Sequence, residues 1–147
     1  MDTSAGAYCG EAHLTTANED YLECIVRIED ESASDGSTGI RSVDIAQRLN
    51  VSKASVNKAI ASLKAQGMVE QSHYGKVNLT ALGRAVGDAV WRRHRMLRAF
   101  LVDELGVDFE RADAEACLME HALSEDTMNR WLDHLEQSGI SIDDTSR

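Results

Sequence analysis

Residues 117–121 read "CLMEH" and place a thiol, a carboxylate and an imidazole at Cys117, Glu120 and His121. In a helix the spacing i, i+3, i+4 puts all three on one face within a turn. These are side chains that ligate transition metals. The plainer reading is an ordinary helix with a buried cysteine, because a free thiol packs as a small hydrophobe, next to a solvated Glu–His pair. Two other stretches weigh against it. "EDYLE" offers Asp20 and Glu23, again one turn apart, and "RRHR" sets His94 among basic residues. Three helices carrying ligand-type side chains can converge on one cation.

Those residues need elements to hold them. Residues 15–32 predict a first helix, with Leu22, Ile25 and Val26 at helical spacing and Thr16 or Asn18 as its cap. Residues 33–39, "ASDGSTG", read as a loop. Residues 40–50 form a second helix with Ser42 as N-cap, and residues 52–67 a third, with Val56, Ile60 and Leu63 facing inward and Gly67 closing it. From 68 to 80 the period changes. Met68 and Val69, then Val77 and Leu79, flank the polar tip "QSHYGK", the pattern of a small hairpin. Residues 80–106 return to a long amphipathic helix lined by Val86, Val90, Leu97, Phe100 and Leu101, and two further helices follow at 109–123 and 124–139. The segment 1–14 and the tail 140–147 are weakly patterned.

Helix, short turn, helix and hairpin is the order of a winged helix-turn-helix, whose second helix enters the DNA major groove. Here that helix exposes Ser52, Lys53, Ser55, Asn57 and Lys58, groups suited to base edges and phosphates. The hairpin tip adds Ser72, His73, Tyr74 and Lys76. Charge supports this placement. The chain has 147 residues and a net charge of −10, yet from Arg41 to Arg98 there are eleven Lys/Arg against three Asp/Glu. A basic segment within an acidic chain suggests a nucleic-acid face joined to something else. The fold class is therefore mostly α, an N-terminal winged helix-turn-helix at 15–80 followed by a helical domain at 81–139.

Other classes recede. No run of about 18 apolar residues is present, so no membrane span is expected. The N-terminus lacks the basic and apolar regions of a signal peptide. Three widely spaced cysteines, Cys9, Cys24 and Cys117, do not make a disulfide framework, and a reducing cytoplasm fits them. Cys24 reads as core, and Cys9 and His13 receive no role. An enzyme is not expected, because no separate general base stands at a fitting spacing.

Taken together, "EDYLECI", "DIAQRLNVSKASVNKAIASLKAQGMVE", "VNLTALGRAVGDAVWRRHRML" and "DAEACLMEHALSED" resemble the diphtheria toxin repressor family of metal-dependent transcription regulators, which includes the manganese transport regulators. The resemblance runs from about Thr15 to Gly139. It implies a winged-helix domain, a helical metal-binding and dimerisation domain, and a homodimer on a palindromic double-stranded operator controlling metal uptake or homeostasis genes. It also implies the short form of the family, without an SH3-like domain. Carried over residue by residue, it assigns Asp20, Glu23, His94, Cys117, Glu120 and His121 to the metal. Asp20 matches the manganese-type members and Cys117 the iron-type. Position 98, a glutamate ligand in the iron-type, is arginine, and position 113, a histidine there, is aspartate. Asp113 is an additional candidate ligand, and any second site must be assembled differently.

The donor set decides the expected metal. Asp20, Glu23 and Glu120 are hard oxygens that suit Mn²⁺ and Fe²⁺, whereas the thiolate favours Fe²⁺, Co²⁺, Zn²⁺ or Cd²⁺. Mn²⁺ is the expected activator, with Fe²⁺ the alternative. Dimer contacts are expected from the helices after Ala81, with Val90, Phe100, Leu118 and Trp131 as apolar anchors. The competing reading is a winged-helix regulator that senses a small organic ligand and ignores metal.

Overall fold

The computed structural model describes residues 14–33 and 39–140. The expected terminal segments 1–14 and 140–147, with Cys9 and His13, and the loop 33–39 fall almost wholly outside these residues. The chain divides into two compact units, Met1–Gly87 and Asp88–Arg147.

The first unit contains α1 (Thr16–Ser32), α2 (Ser42–Leu49), α3 (Lys53–Ala65), a hairpin of β1 (Val69–Gln71) and β2 (Val77–Leu79), and the start of α4 (Ala81–Ala99). Its core joins Leu22 and Ile25 of α1, Ile45 of α2, Val56, Ile60 and Leu63 of α3, and Met68, Val69 and Val77 of the hairpin. Full burial of one such aliphatic side chain contributes about 1.5–3 kcal/mol. The inward stripe expected on α3 is therefore the one observed. The hairpin is antiparallel, with Val69 opposite Leu79 and Gln71 opposite Val77. Ile40 adds a bridge to Val77 through two backbone hydrogen bonds of 2.8 Å. Ile40 thus precedes the second helix, which starts at Ser42, the residue expected as its N-cap.

Capping differs from expectation at two helix starts. The Thr15 hydroxyl, not Thr16 or Asn18, caps α1, accepting from the Asn18 N–H at 3.1 Å. Arg41 occupies the N-cap of α2 without a side-chain cap, and Ser42 lies inside the helix. Ser52 caps α3, and Ser124 caps the last helix, α6 (Glu125–Gln137), by accepting from Ser55 N–H and Thr127 N–H. At the other ends the chain repeats one closing motif. After α2, Asn50 N–H donates to Gln47 C=O and Val51 N–H to Ala46 C=O, with Asn50 left-handed at φ 53°. The same pair of bonds, three and five residues back, closes α3 at Gly67–Met68 and α6 at Gly139–Ile140.

α4 begins under tight constraint. Thr80 Oγ1 donates to the Gly67 carbonyl at 2.6 Å and accepts from Gly83 N–H at 3.0 Å. That brings Gly83 against the Met68 carbonyl so closely that a Cβ would sit 1.8 Å from its oxygen. Arg84 reaches α1, pairing with Asp30 at 2.7 Å and Glu29 at 3.3 Å.

The second unit holds the rest of α4, a π-helical turn (Phe100–Glu104), α5 (Phe109–Met119) and α6 (Glu125–Gln137). Met96, Leu97 and Leu101 pack with Ala112 and Ala116 of α5 and Met128, Leu132 and Leu135 of α6. The expected continuous helix to 106 thus ends in a π turn. Its closure carries the same motif one residue wider, with Gly106 N–H on Val102 C=O and Val107 N–H on Leu101 C=O. Of the apolar anchors expected for dimer contacts, Val90 is buried at 3% exposure and Phe100 packs edge-to-face on Trp131 at 5.9 Å. Leu118, at 74%, is exposed. No helix among the described residues is long and apolar enough to cross a membrane.

Candidate metal centre

On α1, the i, i+3 spacing sets Asp20 and Glu23 on one face. Glu23 is nearly buried, at 5% exposure, with Arg27 one turn on at 3.8 Å. The remaining candidate ligands lie in the second unit. α5 ends at Met119, with Glu120 as its C-cap in right-handed geometry at φ −63°, ψ −21°. Glu120 and His121 therefore stand in the turn after the helix rather than inside it, as the sequence reading had them. Because Glu120 keeps helical angles, it still lies one turn from Cys117. Ligand atoms of Cys117, Glu120 and His121 lie within 4.8 Å of one another.

The buried carboxylate of Glu120 sits between two imidazoles. His121 Nε2 is 3.2 Å from its Oε1, and His94 Nδ1 is 3.6 Å from its Oε2. Glu120 is 3% exposed and His94 2%. Neither carboxylate oxygen of Glu120 accepts a hydrogen bond among the described residues. An anionic carboxylate out of water without hydrogen bonds is costly. A cation held by Glu120 with His121 and the Cys117 thiolate, or with His94, removes that cost, so the residues present fit a divalent metal.

His94 is fixed from its other side. Its ring stacks on Trp91 at 5.4 Å, and its Nε2 lies 2.7 Å from Asp113 Oδ1. Arg98 Nη1 donates to the same oxygen at 2.7 Å. Burial works against charge on Asp113, but these two partners outweigh it and hold its carboxyl below the usual aspartate range. Asp113 is thus engaged by His94 and Arg98. The sequence reading weighed Asp113 as a ligand and did not anticipate this contact; the i, i+4 spacing of His94 and Arg98 on α4 was the available signal.

The two described cysteines differ. Burial pushes the Cys24 thiol up to about 11, against the opposing pull of Arg48 and Arg27, whereas Cys117 is half-buried. An ordinary thiol titrates near about 8.5, so the thiolate fraction of Cys24 at neutral pH is lower by roughly two orders of magnitude. Iodoacetamide at pH 7.5, read by peptide mass spectrometry, is expected to modify Cys117 and leave Cys24 intact until the chain is denatured. Equal rates at the two positions would contradict the buried placement of Cys24.

The proposed DNA face is exposed throughout. Ser52, Lys53, Ser55, Asn57 and Lys58 of α3 and its cap all reach solvent, as do Ser72, His73 and Lys76 of the hairpin tip. The turn at that tip is closed by Ser72 N–H on the Lys76 carbonyl and Gly75 N–H on the Ser72 carbonyl, both at 2.9 Å.

Comparison with known proteins agrees with this geometry. Residues 13–77 match the model for the iron dependent repressor N-terminal DNA binding domain, and residues 80–138 that for the iron dependent repressor metal binding and dimerisation domain. The iron-dependent repressor IdeR of Mycobacterium leprae is 36% identical over 119 residues, 81% of this chain and 50% of that protein. The chain thus spans about half the length of that relative. An uncharacterized HTH-type transcriptional regulator of Methanocaldococcus jannaschii is 32% identical over 117 residues, which are 80% of this chain and 90% of that protein. Among solved structures, a manganese-dependent transcriptional repressor in complex with manganese aligns with a TM-score of 0.66 and 34% identity, over 81% of this chain and 52% of that one. With two adjoining domain models matched from residue 13 to 138 and a relative covered over nine-tenths of its length, the chain belongs to the diphtheria toxin repressor family of metal-dependent regulators.

Proposed function

We propose that this protein is a transcriptional repressor activated by Mn²⁺, with Fe²⁺ as the alternative, acting as a cytoplasmic homodimer on a palindromic duplex that controls metal uptake or homeostasis genes. The observation that carries the reading is the buried Glu120 carboxylate, flanked by two imidazoles and accepting no hydrogen bond among the described residues. Asp20 and Glu23 are proposed to join His94, Cys117, Glu120 and His121 as ligands. Their oxygen-rich set supports Mn²⁺, and the thiolate keeps Fe²⁺, Co²⁺, Zn²⁺ and Cd²⁺ as competitors in vitro. Family membership weighs against a regulator that ignores metal, and no residue is assigned a catalytic role.

The bound ion would supply positive charge to clustered carboxylates. Asp20 and Glu23 repel each other across one turn of α1, and that helix is the platform of α3. Leu22 and Ile25 share a core with Val56 and Ile60, and Asn18 Nδ2 donates to Ser62 Oγ of α3 at 2.9 Å. Holding α1 therefore biases where α3 presents Lys53, Asn57 and Lys58. Any such bias equals the differential affinity for metal of the two arrangements of the chain, no more.

The test is fluorescence anisotropy on a duplex selected from a random library, with the chain chelated and then titrated with Mn²⁺. Binding is expected in Mn²⁺ and lost in EDTA. Lys53, Lys58 and Lys76 from each of two subunits give six phosphate contacts. At about −0.9 each, the slope of log affinity against log salt should lie near −5. Equal binding in EDTA and Mn²⁺ would overturn the proposal.

A further inference from the structure

Arg98 is a charged side chain held largely, though not fully, out of solvent in the second unit, at 14% side-chain exposure. Its guanidinium carbon lies 4.6 Å from the Phe109 ring centroid and 5.4 Å from that of Trp91, and Trp91 in turn stacks on His94. Aromatic faces of this kind hold a weakly hydrated, planar cation well. The guanidinium and His94 Nε2 both meet one oxygen, Asp113 Oδ1, at 2.7 Å. A carboxylate is an acceptor only, so the proton in the His94–Asp113 bond sits on Nε2. In neutral imidazole that leaves the lone pair on Nδ1, the nitrogen 3.6 Å from Glu120. A metal ligand oriented by a carboxylate behind it is a recurrent arrangement.

Resting on the metal reading above, we infer that Arg98 is a tethered cation that acts through Asp113 to position His94 with Nδ1 toward the metal. The guanidinium holds Asp113 Oδ1 in line with Nε2 and offsets the carboxylate charge, so the ring keeps its proton on that side. Asp113 and Arg98 are positioning residues. Arg98→Met keeps the bulk of the side chain and removes the charge; Arg98→Lys returns the charge without the planar fork.

Two readouts test this on the full chain. The first needs no metal. Long-range ¹H–¹⁵N spectra of the chelated protein at alkaline pH, where imidazole is neutral, should show His94 protonated at Nε2. Asp113→Asn, whose amide can donate to Nε2, should shift the population toward the Nδ1–H form. The second is Mn²⁺ affinity, from equilibrium dialysis. Arg98→Met should weaken Mn²⁺ binding by loosening Asp113, and Arg98→Lys should restore part of it. Asp113→Asn should weaken Mn²⁺ binding about 10- to 100-fold. An Nδ1–H wild type, or an Arg98→Met affinity for Mn²⁺ equal to wild type, overturns the inference. If wild type binds no Mn²⁺, the metal reading fails, and the tautomer alone decides the positioning of His94.

Discussion

Exchange of Glu120 for glutamine is expected to abolish the response of this protein to metal. The carboxylate is 3% exposed and lies between His94 and His121 with no hydrogen bond among the described residues. Such a group destabilises the chain when no cation is near and stabilises it when one is. A neutral amide of the same size removes the first effect and most of the second, and it can donate to an imidazole nitrogen. The chelated variant should therefore be at least as stable as wild type, by about 1–3 kcal/mol, the cost of a buried polar group left unsatisfied. Wild type should gain about 2.7 kcal/mol at a hundredfold excess of Mn²⁺ over Kd. That gain should vanish in the variant, and the Mn²⁺ midpoint for DNA binding should rise by about 100-fold or more. Calorimetric scans with and without Mn²⁺ measure both signs. A Glu120→Gln protein that keeps the wild-type rise in Tm would remove Glu120 from the centre.

Gly83→Ala is expected to be the most damaging small substitution in the first unit. Alanine ordinarily stabilises a helix over glycine by about 1 kcal/mol. Here the added methyl meets the Met68 carbonyl, 1.8 Å from its oxygen and 2.7 Å from its carbon, and both are backbone atoms. Relief requires moving the start of α4 off the α3–β1 corner, which breaks the Thr80 hydroxyl bonds to Gly67 and Gly83. Overpacking of this kind costs about 1–3 kcal/mol and sometimes more, and loss of those bonds adds to it. Gly87→Ala is the internal comparison. Its methyl would lie 2.4 Å from Val26 Cγ2, a side-chain rather than a backbone atom, so a smaller loss is expected. Urea unfolding followed by far-ultraviolet circular dichroism compares the three proteins. A Gly83→Ala chain as stable as wild type, or more so, would show that the close approach does not persist in solution.

The helices and the hairpin were legible because their signals are local. Val56, Ile60 and Leu63 repeat at helical spacing, Ser124 precedes its helix as a cap should, and the tip at Gly75 separates two apolar pairs. The bridge from Ile40 to Val77 was not legible, since one paired residue carries no alternation. The candidate site divides in the same way. Cys117, Glu120 and His121 could be grouped from spacing because they are neighbours on one turn. Asp113 could not be told from a ligand, because a carboxylate near a histidine serves either purpose. What distinguishes the two is Arg98, 15 residues away in the chain and in contact only through folding. Val90 illustrates the limit of apolar pattern for interfaces: the stripe predicts burial and does not say against what.

The turn at Phe100–Glu104 bears on how this sequence is compared with others. The bonds from Gly106 N–H and Val107 N–H that close it reach one residue further back than their counterparts at the ends of α2, α3 and α6. The helix end therefore holds one residue more than a regular α-helix with the same Gly106 cap would need. In a pairwise comparison this amounts to one extra residue, taken up within the turn. A relative whose helix stays regular to its cap should align with this chain only when a one-residue gap is opened between Ala99 and Leu105. An alignment without that gap would put every later position, Asp113, Cys117, Glu120 and His121 among them, one step out of register with its counterpart.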